Sequence, residues 1–156
     1  MSIKKRAFYF FCACCLLFSL VGCGKKEDTT LADGMFLMLS STVKGEAVET
    51  YEMYTLHAEI SDNGNVRIYA DDFNRWVPSD PCPEETVQLS ADTIQQIKDI
   101  IDEIDLYHMR RNIGSRDLKD GEYKELTLYM ASGEHVSGGL NPSNREFLKL
   151  YDYVED

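Results

Sequence analysis

The chain has 156 residues, with 16 basic and 27 acidic side chains and a formal net charge of −11. That acidity argues against nucleic-acid binding, which demands a basic surface, and against laying a domain flat on an anionic membrane. The length suffices for one domain with its own core.

Met1 to Arg6 carries Lys4, Lys5 and Arg6 and no acid, and an apolar run from Ala7 to Val21 follows, interrupted by Ser19. A cationic start and a short apolar stretch describe a secretory signal peptide, and the run is marginal against the ~20 residues of a permanent span. It ends in Leu20-Val21-Gly22-Cys23. This tetrapeptide resembles the lipobox of bacterial lipoproteins: a branched apolar residue, a tolerant position, a small residue and cysteine. The resemblance implies lipidation of the Cys23 sulfur, cleavage after Gly22, and a membrane-anchored location outside the cytoplasm. Two acyl chains on one cysteine meet the need for more than a single chain in stable anchoring. Lys25 and Lys26 then face either anionic headgroups or solvent.

Three basic residues and no acid fall in positions 1–22, so removing them takes the charge from −11 to −14. Of the five cysteines, Cys12, Cys14 and Cys15 leave with the leader, Cys23 carries lipid, and Cys82 remains alone. A domain with one thiol forms no internal disulfide, so packing must hold it. The expected organisation is a leader over 1–22, a lipidated tether over 23–34 and one domain over 35–156.

Phe36 to Val43 reads as a first strand. Tyr54, Leu56, Ala58 and Ile60 alternate with Thr55, His57 and Glu59, the period of a half-buried strand. Asp62-Asn63-Gly64 turns the chain into Val66–Ala70. Keeping the apolar faces together requires a three-residue loop, which sets Ile60 opposite Val66 and Ala58 opposite Ile68 with Gly64 left-handed. Residues 71–88 read as an irregular loop, because Pro78, Pro81 and Pro83 exclude helix and central strand.

Ser90 is the expected N-cap of a helix running to Asn112, with Leu89 and Ile94 as its hydrophobic staple. Ile94, Ile97, Ile101 and Ile104 form its buried stripe, and His108 continues that stripe by angle. Arg110 and Arg111 suit the helix end and Gly114 its termination. Leu126, Leu128 and Met130 form the next strand, and Ala131-Ser132-Gly133 turns it back. The same parity argument sets Leu128 opposite Val136. Asn141 caps the last helix with Pro142 at its first position, and Phe147, Leu148, Leu150, Tyr151 and Val154 face inward. Strands joined by tight hairpins, with few helices, predict an α+β fold: an antiparallel sheet built from hairpins with two helices packed on one face.

No strand-to-helix elbow marks a nucleophilic serine, and Ser137-Gly138-Gly139 reads as a strand end. Cys82 sits between prolines, away from a base or helix N-terminus. His57, His108 and His135 lack the spacing of a metal pair, although His57 and His135 both fall on polar strand faces and meet if the hairpins are neighbours. Asp62-Asn63-Gly64-Asn65 is explained by a turn rather than by a calcium loop. The residues point to no metal, cofactor or catalytic residue. The remaining candidates are Phe73 and Trp76 in the proline-rich loop, flanked by Asp71, Asp72, Glu84 and Glu85. The rings either anchor a partner or lid the domain's own core. The acids either steer a cation or form a solvated rim. The functional expectation is an envelope binding domain that takes another protein or a small ligand. The alternatives are an envelope hydrolase working through unassigned carboxylates and a structural lipoprotein.

Overall fold

A computed structural model describes residues 28–44, 54–71, 84–115 and 121–155. Expectations on Cys23, Lys25, Lys26, Asp72, Phe73, Trp76 and Cys82 fall outside them. The strands are β1 (Met35–Lys44), β2 (Thr55–Ser61), β3 (Asn65–Asp71), β4 (Glu84–Gln88), β5 (Gly121–Met130) and β6 (Gly133–Leu140). The α-helices are α1 (Ala91–Glu103) and α2 (Arg145–Glu155), and a 3₁₀ turn at Leu106–His108 follows α1. All strand pairs are antiparallel, in the order β4-β3-β2-β1-β5-β6. The first strand therefore lies inside the sheet, with a meander on one side and the β5–β6 hairpin on the other. This is the α+β architecture that the hairpin pattern predicts.

Register decides which side is buried. Leu37 and Leu39 align with Ile60 and Ala58 on β2 and with Leu128 and Leu126 on β5. These side chains share a core with Ile94, Ile97 and Ile101 of α1 and Phe147, Leu150 and Tyr151 of α2. Both helices therefore cover one face. A bulge between Met35 and Leu37 breaks the strand alternation, and Phe36 and Leu37 are both fully buried.

The β2–β3 hairpin has the register that the parity argument requires: Ile60 pairs with Val66 and Ala58 with Ile68. Gly64 has φ +85°, and a Cβ there would lie 2.5 Å from the Leu89 carbonyl oxygen. Conformation and close approach both demand glycine. The expected tether meets the domain through its last residues: Leu31 bridges Met130, and Ala32 N–H donates to the Tyr129 carbonyl at 3.0 Å.

Several expectations are corrected. The segment read as loop to residue 88 ends in β4, an edge strand that begins directly after Pro83, where a missing N–H is harmless. Ser90 caps α1 as expected, its side chain accepting from Thr93 N–H, but the helix stops at Glu103 rather than Asn112. Leu106, nine residues beyond Ile97, would stand on the solvent side of a continued helix at 100° per residue. Asp105 instead turns left-handed at φ 49°, and Leu106 is buried completely. His108 consequently leaves the stripe, lies exposed and bonds Asp105. Arg110 and Arg111 therefore lie well past the end of α1.

Gly114 terminates no helix. Residues Arg111–Ser115 run along β6: Gly138 N–H donates to the Arg111 carbonyl, Ile113 N–H to the Gly138 carbonyl, and Ser115 N–H to the Leu140 carbonyl. A Cβ on Gly139 would meet Gly114 N at 2.5 Å, so this contact is made backbone to backbone.

The β5–β6 register also differs, since Leu128 pairs with His135 and Thr127 with Val136. Apolarity alone put Val136 in the core. The core side is instead taken by Ser137, fully buried, and by His135, whose Nε2 lies 2.9 Å from the Met109 carbonyl. Their polar atoms find partners in the segment after α1. Asn141 has φ +46° and accepts from Glu122 N–H through Oδ1, so it anchors to β5 and does not cap α2. The cap is Asn144, whose Oδ1 accepts from Phe147 N–H at 2.9 Å. Phe147, Leu150 and Tyr151 then form the expected buried face.

Candidate functional site

With both helices on one side, alternation places Ser40, His57, Glu59, Arg67, Tyr69, Asp71, Glu84, Tyr123, Glu125, Tyr129 and Glu134 on the other. Cross-strand neighbours are paired there in one run. His57 Nδ1 lies 2.8 Å from Ser40 Oγ and Nε2 lies 3.0 Å from Asp71 Oδ2. Asp71 as a carboxylate only accepts, so Nε2 carries a proton; Ser40 donates to Nδ1 in the neutral ring and accepts from it in the charged one. Tyr69 stacks on the imidazole with ring centroids 5.0 Å apart and donates to Glu59 at 2.9 Å. The Arg67 guanidinium lies 4.5 Å from the Tyr69 ring centroid, 3.8 Å from Glu59 and 3.2 Å from Glu84. Burial, with the Glu59 carboxylate behind it, pushes the Tyr69 phenol up to about 12.

Serine, histidine and aspartate in series have the connectivity of a hydrolase relay, but the burial runs the wrong way. Ser40 is 6 % exposed while the Asp71 side chain is 65 % exposed. Ser40 also lies on a strand paired on both sides, so its backbone N–H belongs to the ladder and not to an oxyanion hole. The arrangement fixes the imidazole and keeps the face rigid. Ion pairs this exposed add little stability, so their effect is to orient groups.

Carboxylates predominate on this surface. Tyr129 is raised by burial first and then by Glu134, Glu59 and Glu125, which share its field. The sheet presents phenolic rings among acids, a lining that suits a cationic group. Among the described residues no group of three or more His, Cys, Asp or Glu is placed to hold a metal ion.

Of the residues singled out from sequence, Asp71 and Glu84 both fall on the open face, at the ends of β3 and β4 that flank residues 72–83. Glu85 points to the opposite side of the sheet. His57 and His135 do not meet, because they occupy opposite faces. Ser137 donates to the Arg110 carbonyl at 3.1 Å, a structural bond. Sequence reasoning missed Glu59, Arg67 and Tyr69. The hairpin register already sets Glu59 opposite Arg67 and His57 opposite Tyr69, so the signal lay in the same parity argument. Ser40 had no such signal, since the alternation of β1 is poor.

No protein-family model and no curated protein matches this chain.

Proposed function

We propose that this chain is a lipid-anchored extracytoplasmic binding domain whose open sheet face, together with Phe73 and Trp76, receives a cationic group of an envelope protein or small ligand. The observation that carries the binding reading is the run of paired acids and tyrosines on the sheet face away from both helices. Asp71 and Glu84 stand at its edge, at the ends of β3 and β4 that flank residues 72–83. Leu20-Val21-Gly22-Cys23 carries the anchoring reading. Among the described residues no helix is long and apolar enough to cross a membrane.

Two measurements test this function. Cys23→Ala should abolish incorporation of a radiolabelled fatty acid and leave the precursor uncut, and a variant still cleaved after Gly22 and still lipidated refutes the anchor. Trp76→Ala should cost under about 1 kcal/mol of stability, since a recognition residue is not a core residue, whereas a core lid costs ~3–5 kcal/mol. Acrylamide should quench the single indole. An unquenchable indole with a loss of several kcal/mol sinks the loop's part in binding.

A further inference from the structure

The two edges of the sheet are finished differently. The last part of β6 is bonded by the passing segment Arg111–Ser115, as described above. β4, at the other end, carries five residues that are all exposed, including Val87 at 38 %.

Register shows which backbone groups this edge presents. Leu89 N–H donates to the Gly64 carbonyl at 2.8 Å, in line with the pairs Val87–Val66 and Glu85–Ile68. Bonded and non-bonded pairs alternate in an antiparallel ladder. The N–H and C=O groups of Glu84, Thr86 and Gln88 therefore point away from β3, and a fifth strand of the meander has a ready template there. Such edges are where extended peptides add to sheets.

Charge selects the occupant. Glu84 stands on the open face and Glu85 on the helix face, so a strand beside β4 meets a carboxylate on both sides. A second copy is disfavoured: two antiparallel β4 strands centred on Thr86 would bring four carboxylates to one seam between chains each of net charge −11. The short length and paired acids deter indiscriminate edge pairing while leaving the ladder open to a complementary strand.

We propose that β4 binds an extended basic segment of a partner protein by strand addition, with lysine or arginine beside Glu84 and Glu85 and an apolar side chain beside Val87. This rests on the reading of the domain as a binding module and names the partner's chemistry, but it needs neither the lipid nor Trp76.

The probe is a blocked seven-residue peptide, Thr-Thr-Val-Thr-Lys-Lys-Thr, whose antiparallel alignment sets its adjacent lysines beside Glu85 and Glu84 and its valine beside Val87; it is titrated into the full chain and followed by calorimetry. Thr86→Pro removes an outward N–H while sparing every bond to β3 and every charge. Binding to wild type is expected, with at least a tenfold weaker Kd for Thr86→Pro and for Glu85→Lys. A peptide methylated on alternate backbone nitrogens keeps its charge and should also bind wild type at least tenfold more weakly. That arm holds even if Thr86→Pro fails to fold. No binding by wild type overturns the proposal. So does equal affinity for the methylated peptide, which signals charge attraction alone. A wild-type dimer in sedimentation that Thr86→Pro converts to monomer assigns the edge to a second copy instead. Peptide lost on Trp76→Ala but retained on Thr86→Pro assigns binding to Trp76 and the open face, so this proposal falls while the proposed function stands.

Discussion

Ile101→Asp is expected to leave the domain unfolded at 25 °C. Ile101 is fully buried between α1 and the sheet, in a core with Ile94, Ile97, Leu37 and Phe147. A carboxylate there finds no partner, and an unpaired charge in a core costs several kcal/mol. Small domains hold about 5–15 kcal/mol in total, so the loss is on the order of the whole stability. Ile97→Asp, at 1 % exposure, should behave alike. Asp99→Ala is the control on the same helix. Asp99 is exposed and accepts from Gln95 Nε2 at 2.8 Å, a pair four residues apart worth ~0.2–0.5 kcal/mol. Far-UV circular dichroism and urea unfolding separate the variants. Comparable destabilisation by Asp99→Ala would show that the isoleucine stripe does not face the core.

Where alternation was strict, the sequence was readable. In β2 and β3 the apolar residues recur every second position, and a one-residue slip would expose Ile60 or Val66, so only one loop length keeps the faces together. The α1 stripe was equally plain because isoleucines recur at helical spacing. Legibility failed where polar residues took buried places. Ser137 and His135 satisfy themselves on the carbonyls of Met109 and Arg110, a partnership between segments far apart in sequence, and local hydrophobicity chose Val136 instead. It failed again where a left-handed residue ended a helix. Asp105 rather than glycine makes that turn, so the helical period ran on in the sequence after it had stopped in the chain.

The open face was half legible for the same reasons. Once the hairpin register is known, Glu59, Arg67, His57 and Tyr69 fall into facing pairs. The third strand of that cluster is β1, whose partner β5 lies some eighty residues later, and no local pattern reports that pairing. Glu84 and Glu85 illustrate the remaining ambiguity. Acids after a proline read as loop, yet they form an edge strand because one edge of the ladder leaves N–H groups to solvent.

Raising the pH from 10 to 12 is expected to destabilise the domain, with Tyr151, the most buried of its shifted tyrosines, a main contributor. Tyr151 is 2 % exposed, its hydroxyl donates to the Ser40 carbonyl at 3.2 Å, and Lys124 Nζ lies 4.4 Å from its ring centroid. Burial, reinforced by Glu155, Glu122 and Asp152, raises its phenol to about 12. Below pH 10 the phenol is neutral in both folded and unfolded chains, and its full contribution is present. Between 10 and 12 the unfolded chain releases the proton and the folded chain largely keeps it, so the unfolded state gains by up to roughly 1.4 kcal/mol per pH unit, about 2 kcal/mol across the window. Tyr69, Tyr107, Tyr123 and Tyr129 shift the same way, Tyr107 through burial and its bond to Asp102, but they are only half-buried and solvent weakens their share. Tyr151→Phe should be about 1 kcal/mol less stable at pH 8, having lost the bond to Ser40. Its stability should then fall more slowly with pH, so that the two proteins converge and cross before pH 12. Urea unfolding at intervals from pH 8 to pH 11.5 measures both curves. Parallel curves above pH 10 would show that Tyr151 ionises as readily in the folded chain as in the unfolded one.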